Sequence, residues 1–171
     1  MHMFTKICAS LICLVAFQTA ASAQTLTPPN TIVTASGQLT EDLAGAMTTV
    51  CDVTLTGITD STGITFTSMT GTAVSGPLGC EWGDFNGHEG IVLPLRVEVT
   101  SSTGMTIRDM AYSSRLGACG PQDVSVPWDT MTSVAGPFVA TLPGSNGLLA
   151  LFGVACHVSG SLTISPAIAI H

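Results

Sequence analysis

The segment from Cys156 to His171, CHVSGSLTISPAIAIH, decides the fold class of this chain. Its even positions, from Cys156 to Ile170, are mostly apolar, whereas its odd positions are Ser, Thr, Ala and His. Alternation with a period of two is the pattern of a β-strand that buries one face. Pro166 has no N–H for a sheet ladder, so we expect an edge, a bulge or a strand break there.

Shorter runs with the same alternation occur along the chain, separated by turns rich in Gly and Pro. They are Cys51–Thr56, Ile64–Thr67, Leu95–Val99, Met105–Arg108, Phe138–Leu142 and Leu148–Phe152. Many short strands with such turns predict an antiparallel β-sandwich or a barrel-like domain. Only Leu39–Val50 has a helix signal, with Thr40 as N-cap before Glu41 and Asp42. No linker or change of composition divides the chain, so we expect a single all-β domain over residues 24–171.

The first 23 residues have the composition of a secretory signal peptide. Lys6 supplies positive charge, Ile7–Phe17 is apolar, and Ala21–Ala23 forms a small-residue cleavage site. The apolar run is shorter than the roughly 20 residues that span a bilayer. We therefore predict export with cleavage before Gln24, no transmembrane segment afterwards, and a secreted, periplasmic or cell-surface location.

The composition excludes several classes of function. Of the 171 residues, 46% are hydrophobic and only 9% are charged, against roughly 25% in an ordinary domain. Removal of residues 1–23 would take away Lys6, the only lysine, and leave an acidic chain with a net charge of −8. Nucleic-acid binding needs clustered basic residues, and Schiff-base catalysis needs a lysine, so the sequence argues against both. High hydropathy likewise argues against a disordered acidic tail.

Four cysteines remain after the predicted cleavage: Cys51, Cys80, Cys119 and Cys156. An even number in an exported chain predicts two disulfides, and no two of the four have the close spacing of zinc ligands. Strand parity favours Cys51–Cys156 with Cys80–Cys119, because Cys51 and Cys156 both fall on inward positions. The sequential pairing, Cys51–Cys80 with Cys119–Cys156, closes shorter loops and stays open as the alternative.

The sequence contains no G-x-S-x-G, P-loop or H-E-x-x-H motif, so we predict no catalytic residue and no cofactor. Its one polar cluster lies at residues 81–90. There Glu81, Asp84, His88 and Glu89 are weak candidates for a divalent cation, although an exposed, solvated turn explains them as well.

Three aromatic side chains are candidates for contact with a hydrocarbon or a lipid-like surface. They are Trp82, Phe85 and Trp128. Packing in the core is the alternative for the two tryptophans, and it is favoured for Trp128, which follows a strand-like run.

Five sequence blocks together resemble the secreted bacterial protein activators of alkane oxidation, the PraB-like proteins. They are C-x-V-x-L-x-G at 51–57, G-C at 79–80, L-P-L-x-V at 93–97, C-G-P-x-x-V-x-x-x-W at 119–128 and C-x-V-S-G-S-L-x-I-S-P at 156–166. The resemblance covers roughly residues 50–170. At 93–95 this chain has Leu-Pro-Leu where such proteins tend to have Leu-Pro-Trp, so it offers no aromatic contact there.

The resemblance implies an exported, non-enzymatic helper that promotes growth on long-chain alkanes through dispersal or surface contact. Two other classes stay open. One is a fibre or matrix subunit that self-associates when the apolar strand Thr163–Ile170 adds to a neighbour's sheet edge. The other is a calcium- or sugar-dependent module built on the cluster at 81–90.

Overall fold

The computed structural model describes residues 24–43, 45–80 and 89–171, and most of these are β-strand. The predicted signal peptide and most of the polar cluster, residues 81–88, lie outside the described residues. One short helix, α1, covers Gly147–Leu151. The strands are β1 Leu26–Thr27, β2 Ile32–Leu43, β3 Met47–Thr59, β4 Gly63–Ser75, β5 Gly90–Ile91, β6 Leu95–Ser101, β7 Gly104–Ser114, β8 Gly117–Asp129, β9 Val134–Pro143, β10 Ala155–Ser165 and β11 Ala169–Ile170.

Eight of these strands form a closed antiparallel barrel, which confirms the all-β prediction and decides for the barrel over the sandwich. The order around the wall is β7-β6-β4-β3-β2-β10-β9-β8, and β8 pairs back with β7. The short β5 also pairs with β7. Closure gives each long strand a partner on both sides along at least part of its length, with β4 paired to β6 over four residues and β8 paired to β9 at Trp128 and Asp129.

The alternation in sequence becomes the inside and outside of the barrel. In β8, Val124, Val126 and Trp128 are buried while the residues between them are exposed. An eight-stranded barrel is just wide enough for such side chains to fill it, so the hydrophobic core is the lumen. The C-terminal segment behaves as predicted, since β10 and β11 are separate strands and Pro166 lies in the break between them.

The two ends of the barrel are closed differently. At one end, here called the plug end, β1 pairs with β11 and the side chains of Leu26, Ile168 and Ile170 are buried in the core. At the other, here called the cap end, α1 packs against the β7–β8 turn: the N–H groups of Leu148 and Leu149 both donate to the carbonyl oxygen of Leu116, at 2.8 and 3.4 Å.

Both predicted disulfides are present, but the pairing that strand parity favours is wrong. The bonds are Cys51–Cys80 and Cys119–Cys156, the sequential alternative. Every inward position of a barrel faces the same lumen, so parity carries no information about which cysteines are neighbours. The order of the strands around the wall determines which cysteines are close enough to form a bond. The strand β3, which carries Cys51, is separated from β10 by β2, whereas Cys80 follows β4, which is the neighbour of β3.

Two local predictions are also wrong. The helix signal at Leu39–Val50 belongs to the β2–β3 hairpin, where Leu43 pairs with Met47. Tertiary pairing overrides the capping signal at Thr40, and Leu39 and Leu43 point into the core. Conversely, the run Leu148–Phe152 forms α1 rather than a strand, because it spans the end of the barrel between β9 and β10.

An apolar cap as the candidate functional site

Four large apolar side chains are exposed together at the cap end. Leu116 in the β7–β8 turn is 38% exposed, and in or next to α1 the exposures are 49% for Leu148, 74% for Leu151 and 72% for Phe152. Leu149 alone on this helix is buried, at 3%. We call these four exposed residues the apolar cap. Such a cluster on a protein surface indicates contact with something other than water.

The sequence around the apolar cap explains why its backbone is held firmly. The side-chain oxygen of Asn146 accepts a hydrogen bond from the N–H of Ala118 at 2.6 Å. A Cβ at Gly117 would lie 2.2 Å from the carbonyl oxygen of Asn146, so only glycine permits this close approach of turn and helix. The Cys119–Cys156 disulfide lies just behind, near the start of β8 and of β10.

Among the described residues, one ion pair lies next to the apolar cap. The helix α1 carries no charged residue. Arg115, next to Leu116, is 83% exposed at its side chain and forms an ion pair with Glu89, with Nε and Oε1 3.5 Å apart. The backbone N–H of Arg115 also donates to Oε1 of Glu89 at 3.2 Å. Glu89, the one described residue of the proposed cation cluster, is thus bound to an arginine.

No metal centre is assembled in the part of the chain that the structure describes, where no group of three or more His, Cys, Asp or Glu residues lies close together. The other three candidate ligands, Glu81, Asp84 and His88, lie outside it. The cation prediction therefore stays a prediction.

A buried carboxyl group lies inside the barrel near the cap end. Glu41 is 1% exposed, and the hydroxyl of Tyr112 donates to its Oε2 at 3.1 Å. Its Oε1 has no hydrogen-bond partner among the described residues. Burial raises the pKa of Glu41 to about 7; the Tyr112 hydrogen bond opposes this, and the charge of Glu89 adds to it. Burial and the same two carboxylates raise the pKa of Tyr112.

Sequence reasoning missed both Glu41 and the apolar cap. The capping signal at Thr40 predicts that Glu41 lies in the first turn of a helix, although the alternation Leu39-x-Glu41-x-Leu43 is itself a strand signal. The run Leu148–Phe152 is predicted as a strand. It stands between Gly147 and Gly153 and does not alternate strictly, and these are the signals against a strand.

The aromatic candidates do not form an exposed patch among the described residues. Trp128 is 4% exposed and belongs to the core, while Trp82 and Phe85 lie outside the described part. The open C-terminal strand that the fibre hypothesis requires is not found. Its β10 portion is paired with β2 on one side and β9 on the other, and Ile168 and Ile170 are buried beside β1.

The fold and its cross-links define a disulfide-bonded, eight-stranded antiparallel β-barrel protein. Two disulfides indicate an oxidising compartment outside the cytoplasm. Across the described residues, none of the helical structure is long and apolar enough to cross a membrane.

Comparison with known proteins places the chain in a family. It matches the family described as "Alkane oxidation protein activator PraA/PraB-like" over residues 1–171, and it belongs to that family. This confirms the resemblance seen in the cysteine-centred blocks. Neither the curated proteins nor the solved structures contain a significant match.

Proposed function

We propose that the protein is an exported, non-enzymatic accessory to hydrocarbon use, and that it adsorbs to the hydrocarbon–water boundary through the apolar cap. The observation that carries the proposal is the exposure of Leu116, Leu148, Leu151 and Phe152 at one end of the barrel, on and beside a helix without a charged residue. Family membership supplies the hydrocarbon context. The leader-like residues 1–23 and the two disulfides support export.

The apolar cap is large enough to make adsorption favourable. Transfer of its half- to three-quarters-exposed Leu148, Leu151 and Phe152 out of water gives about 3–6 kcal/mol, at 1.5–3 kcal/mol for each fully buried side chain. Little polar backbone opposes this transfer, because the N–H groups of Ala150 and Phe152 already donate within the helix, to Asn146 and Leu148. The side chains can therefore leave water without unfolding of the barrel.

The acidic charge of the chain suits a dispersing role. The eleven carboxylates outnumber the four basic side chains. Droplets coated with a protein of one net sign repel one another, which opposes their coalescence. An apolar contact at one end and a negatively charged body are the two parts of a surface-active molecule.

The proposal is tested by comparing two triple variants of equal size at opposite ends of the barrel. Leu148→Ser/Leu151→Ser/Phe152→Ser removes most of the apolar cap and should abolish most of the lowering of hexadecane–water tension and most of the emulsification. Ile32→Ser/Ile58→Ser/Met131→Ser is the matched control near the plug end, where these side chains are 70, 48 and 94% exposed. It should keep the activity of the unaltered protein.

Equal losses in both triple variants would contradict the assignment of the contact to the apolar cap. Surface activity of the unaltered protein no greater than that of an unrelated acidic protein would contradict the proposal as a whole. Circular dichroism and the melting temperature of each variant establish that the barrel is intact, since all six substituted side chains are exposed.

A further inference from the structure

The lumen of the barrel is not completely filled. A cavity of about 40 Å³ lies in its middle and is lined only by apolar side chains, among them Ala35, Leu55, Phe66, Met105 and Phe138. One water-sized sphere needs about 10–15 Å³, so the cavity accommodates a chain of about three such spheres, the size of a short alkyl segment. Water gains no hydrogen bond there, and apolar cavities of this kind stay dry and take up apolar molecules.

The ladder between β9 and β10 is interrupted beside this cavity. Between β9 and β10 the register shifts, so that Gly160 pairs with Phe138 but Leu162 pairs with Ala135. Two β9 residues, Gly136 and Pro137, therefore stand opposite one residue of β10, and Pro137 has no N–H to donate. Because Ala135, Phe138 and Leu162 all line the cavity, this bulge adjoins the lumen directly.

A polar group that has no partner in the described part of the chain belongs to a residue next to the lining of the cavity. Trp128 is the next inward residue after Val126 on β8 and is opposite Ala135, and both of these neighbours line the cavity. The indole is 4% exposed, yet its Nε1 finds no hydrogen-bond acceptor among the described residues. A buried donor left unpaired costs about 1–3 kcal/mol, so it calls for an explanation.

From these three observations we infer that the lumen is a binding site for the end of an n-alkyl chain, which enters at the β9–β10 bulge. The source of the chain is either an alkane or a primary alkanol, and only the alkanol carries an oxygen that can accept a hydrogen bond from Trp128. This site is separate from the apolar cap and does not depend on its surface activity.

The test uses n-butane and 1-butanol as probes and methyl NMR of the purified protein as readout. Both probes should cause saturable shifts of the Met105 methyl signal, with none at Met131, which is 94% exposed in the β8–β9 turn. Ala35→Val fills the cavity and should weaken both probes at least about tenfold. Leu55→Ala enlarges the cavity and should admit n-pentane as well.

The Trp128→Phe variant separates the two sources. If the variant loses affinity for 1-butanol and keeps its affinity for n-butane, the bound alkyl chain belongs to an alkanol that accepts a hydrogen bond from the indole. If the unaltered protein and the variant bind both probes equally well, only the alkyl part is recognised. Absence of any Met105 shift in both the unaltered protein and Leu55→Ala would overturn the inference. The lumen variants should keep the full interfacial activity, so failure here is distinguishable from failure of the apolar cap.

Discussion

The two ends of the barrel are closed in opposite ways. At the plug end the two chain segments nearest the described termini, β1 and β11, pair and bury Leu26, Ile168 and Ile170 without a covalent link. At the cap end, α1 closes the barrel while most of its apolar side chains point outwards. Both disulfides lie in the half of the barrel nearer to the cap end, since Cys119 and Cys156 follow the starts of β8 and β10.

The contrast suggests what the disulfides are for. An end that buries its apolar residues gains stability from them. An end that exposes them lacks this gain, and its apolar contact with an oil surface favours unfolding on that surface. Cross-links supply the missing stability by restricting the unfolded state. We therefore expect the disulfides near the apolar cap to supply stability that the exposed side chains of that end do not.

The largest effect should follow from removing a cap-end disulfide. For Cys119→Ser/Cys156→Ser, the sequence separation of 37 residues corresponds to about 4 kcal/mol of lost stability from loop entropy. Urea denaturation measures this loss. Hydrogen exchange of the double variant should rise first in β8, α1 and β10, while the amides of Thr25 and His171, which pair across the plug end at 2.8 and 2.9 Å, change least.

If the Cys119→Ser/Cys156→Ser variant opened first at the plug end, this comparison of the two ends would be contradicted. Cys51→Ser/Cys80→Ser serves as its counterpart, with a separation of 29 residues and a similar entropic loss. Because Cys51–Cys80 also lies nearer to the cap end, this second variant should open first there too. Hydrogen exchange that rises equally at both ends in both variants would show that the disulfides act on the barrel as a whole.

The two ends should also respond oppositely to pH. Glu41 keeps its proton in the folded state up to about pH 7, whereas the unfolded chain releases it near 4.5. The folded state therefore loses stability as pH rises through this window, by on the order of 3 kcal/mol, and the loss is complete above it. Glu41→Gln keeps an acceptor for the Tyr112 hydroxyl and should show no such slope when urea denaturation is measured from pH 4.5 to 8.

Asp60 at the plug end provides the matched control. Arg96 binds this half-exposed carboxylate, with Nη1 and Oδ2 2.6 Å apart, and holds the pKa of Asp60 well below its usual range. The contribution of ionised Asp60 to the stability of the folded state is present above the pKa that Asp60 has in the unfolded chain. It is lost as pH falls through the lower pKa of the folded state. Asp60→Asn should cost about 0.5–1 kcal/mol at neutral pH and leave the slope between pH 4.5 and 7 unchanged. A slope that persists in Glu41→Gln would contradict the assignment to the buried carboxyl.

The strands were predictable because alternation reports directly on burial. The C-terminal pattern from Cys156 and the break at Pro166 needed no tertiary information, and the family blocks identified the family. Barrel closure, disulfide partners and the fate of Leu148–Phe152 were not predictable in the same way. They depend on which strands are neighbours around the wall and on what spans its ends, and the period of a single strand encodes neither. The burial of Glu41 was not predictable either, because the local capping signal at Thr40 favours a helix and only the pairing of β2 with β3 overrides it.

The central claim, that the cap end meets hydrocarbon, is tested most directly by hydrogen exchange of the protein adsorbed on hexadecane droplets. Backbone amides of the β7–β8 turn around Leu116 and of Leu148–Phe152 should exchange more slowly than in solution. Those of the β8–β9 turn around Met131 and those next to Ile32 and Ile58 should be unchanged. Slowing at the plug end instead, or loss of protection throughout the barrel, would contradict the claim.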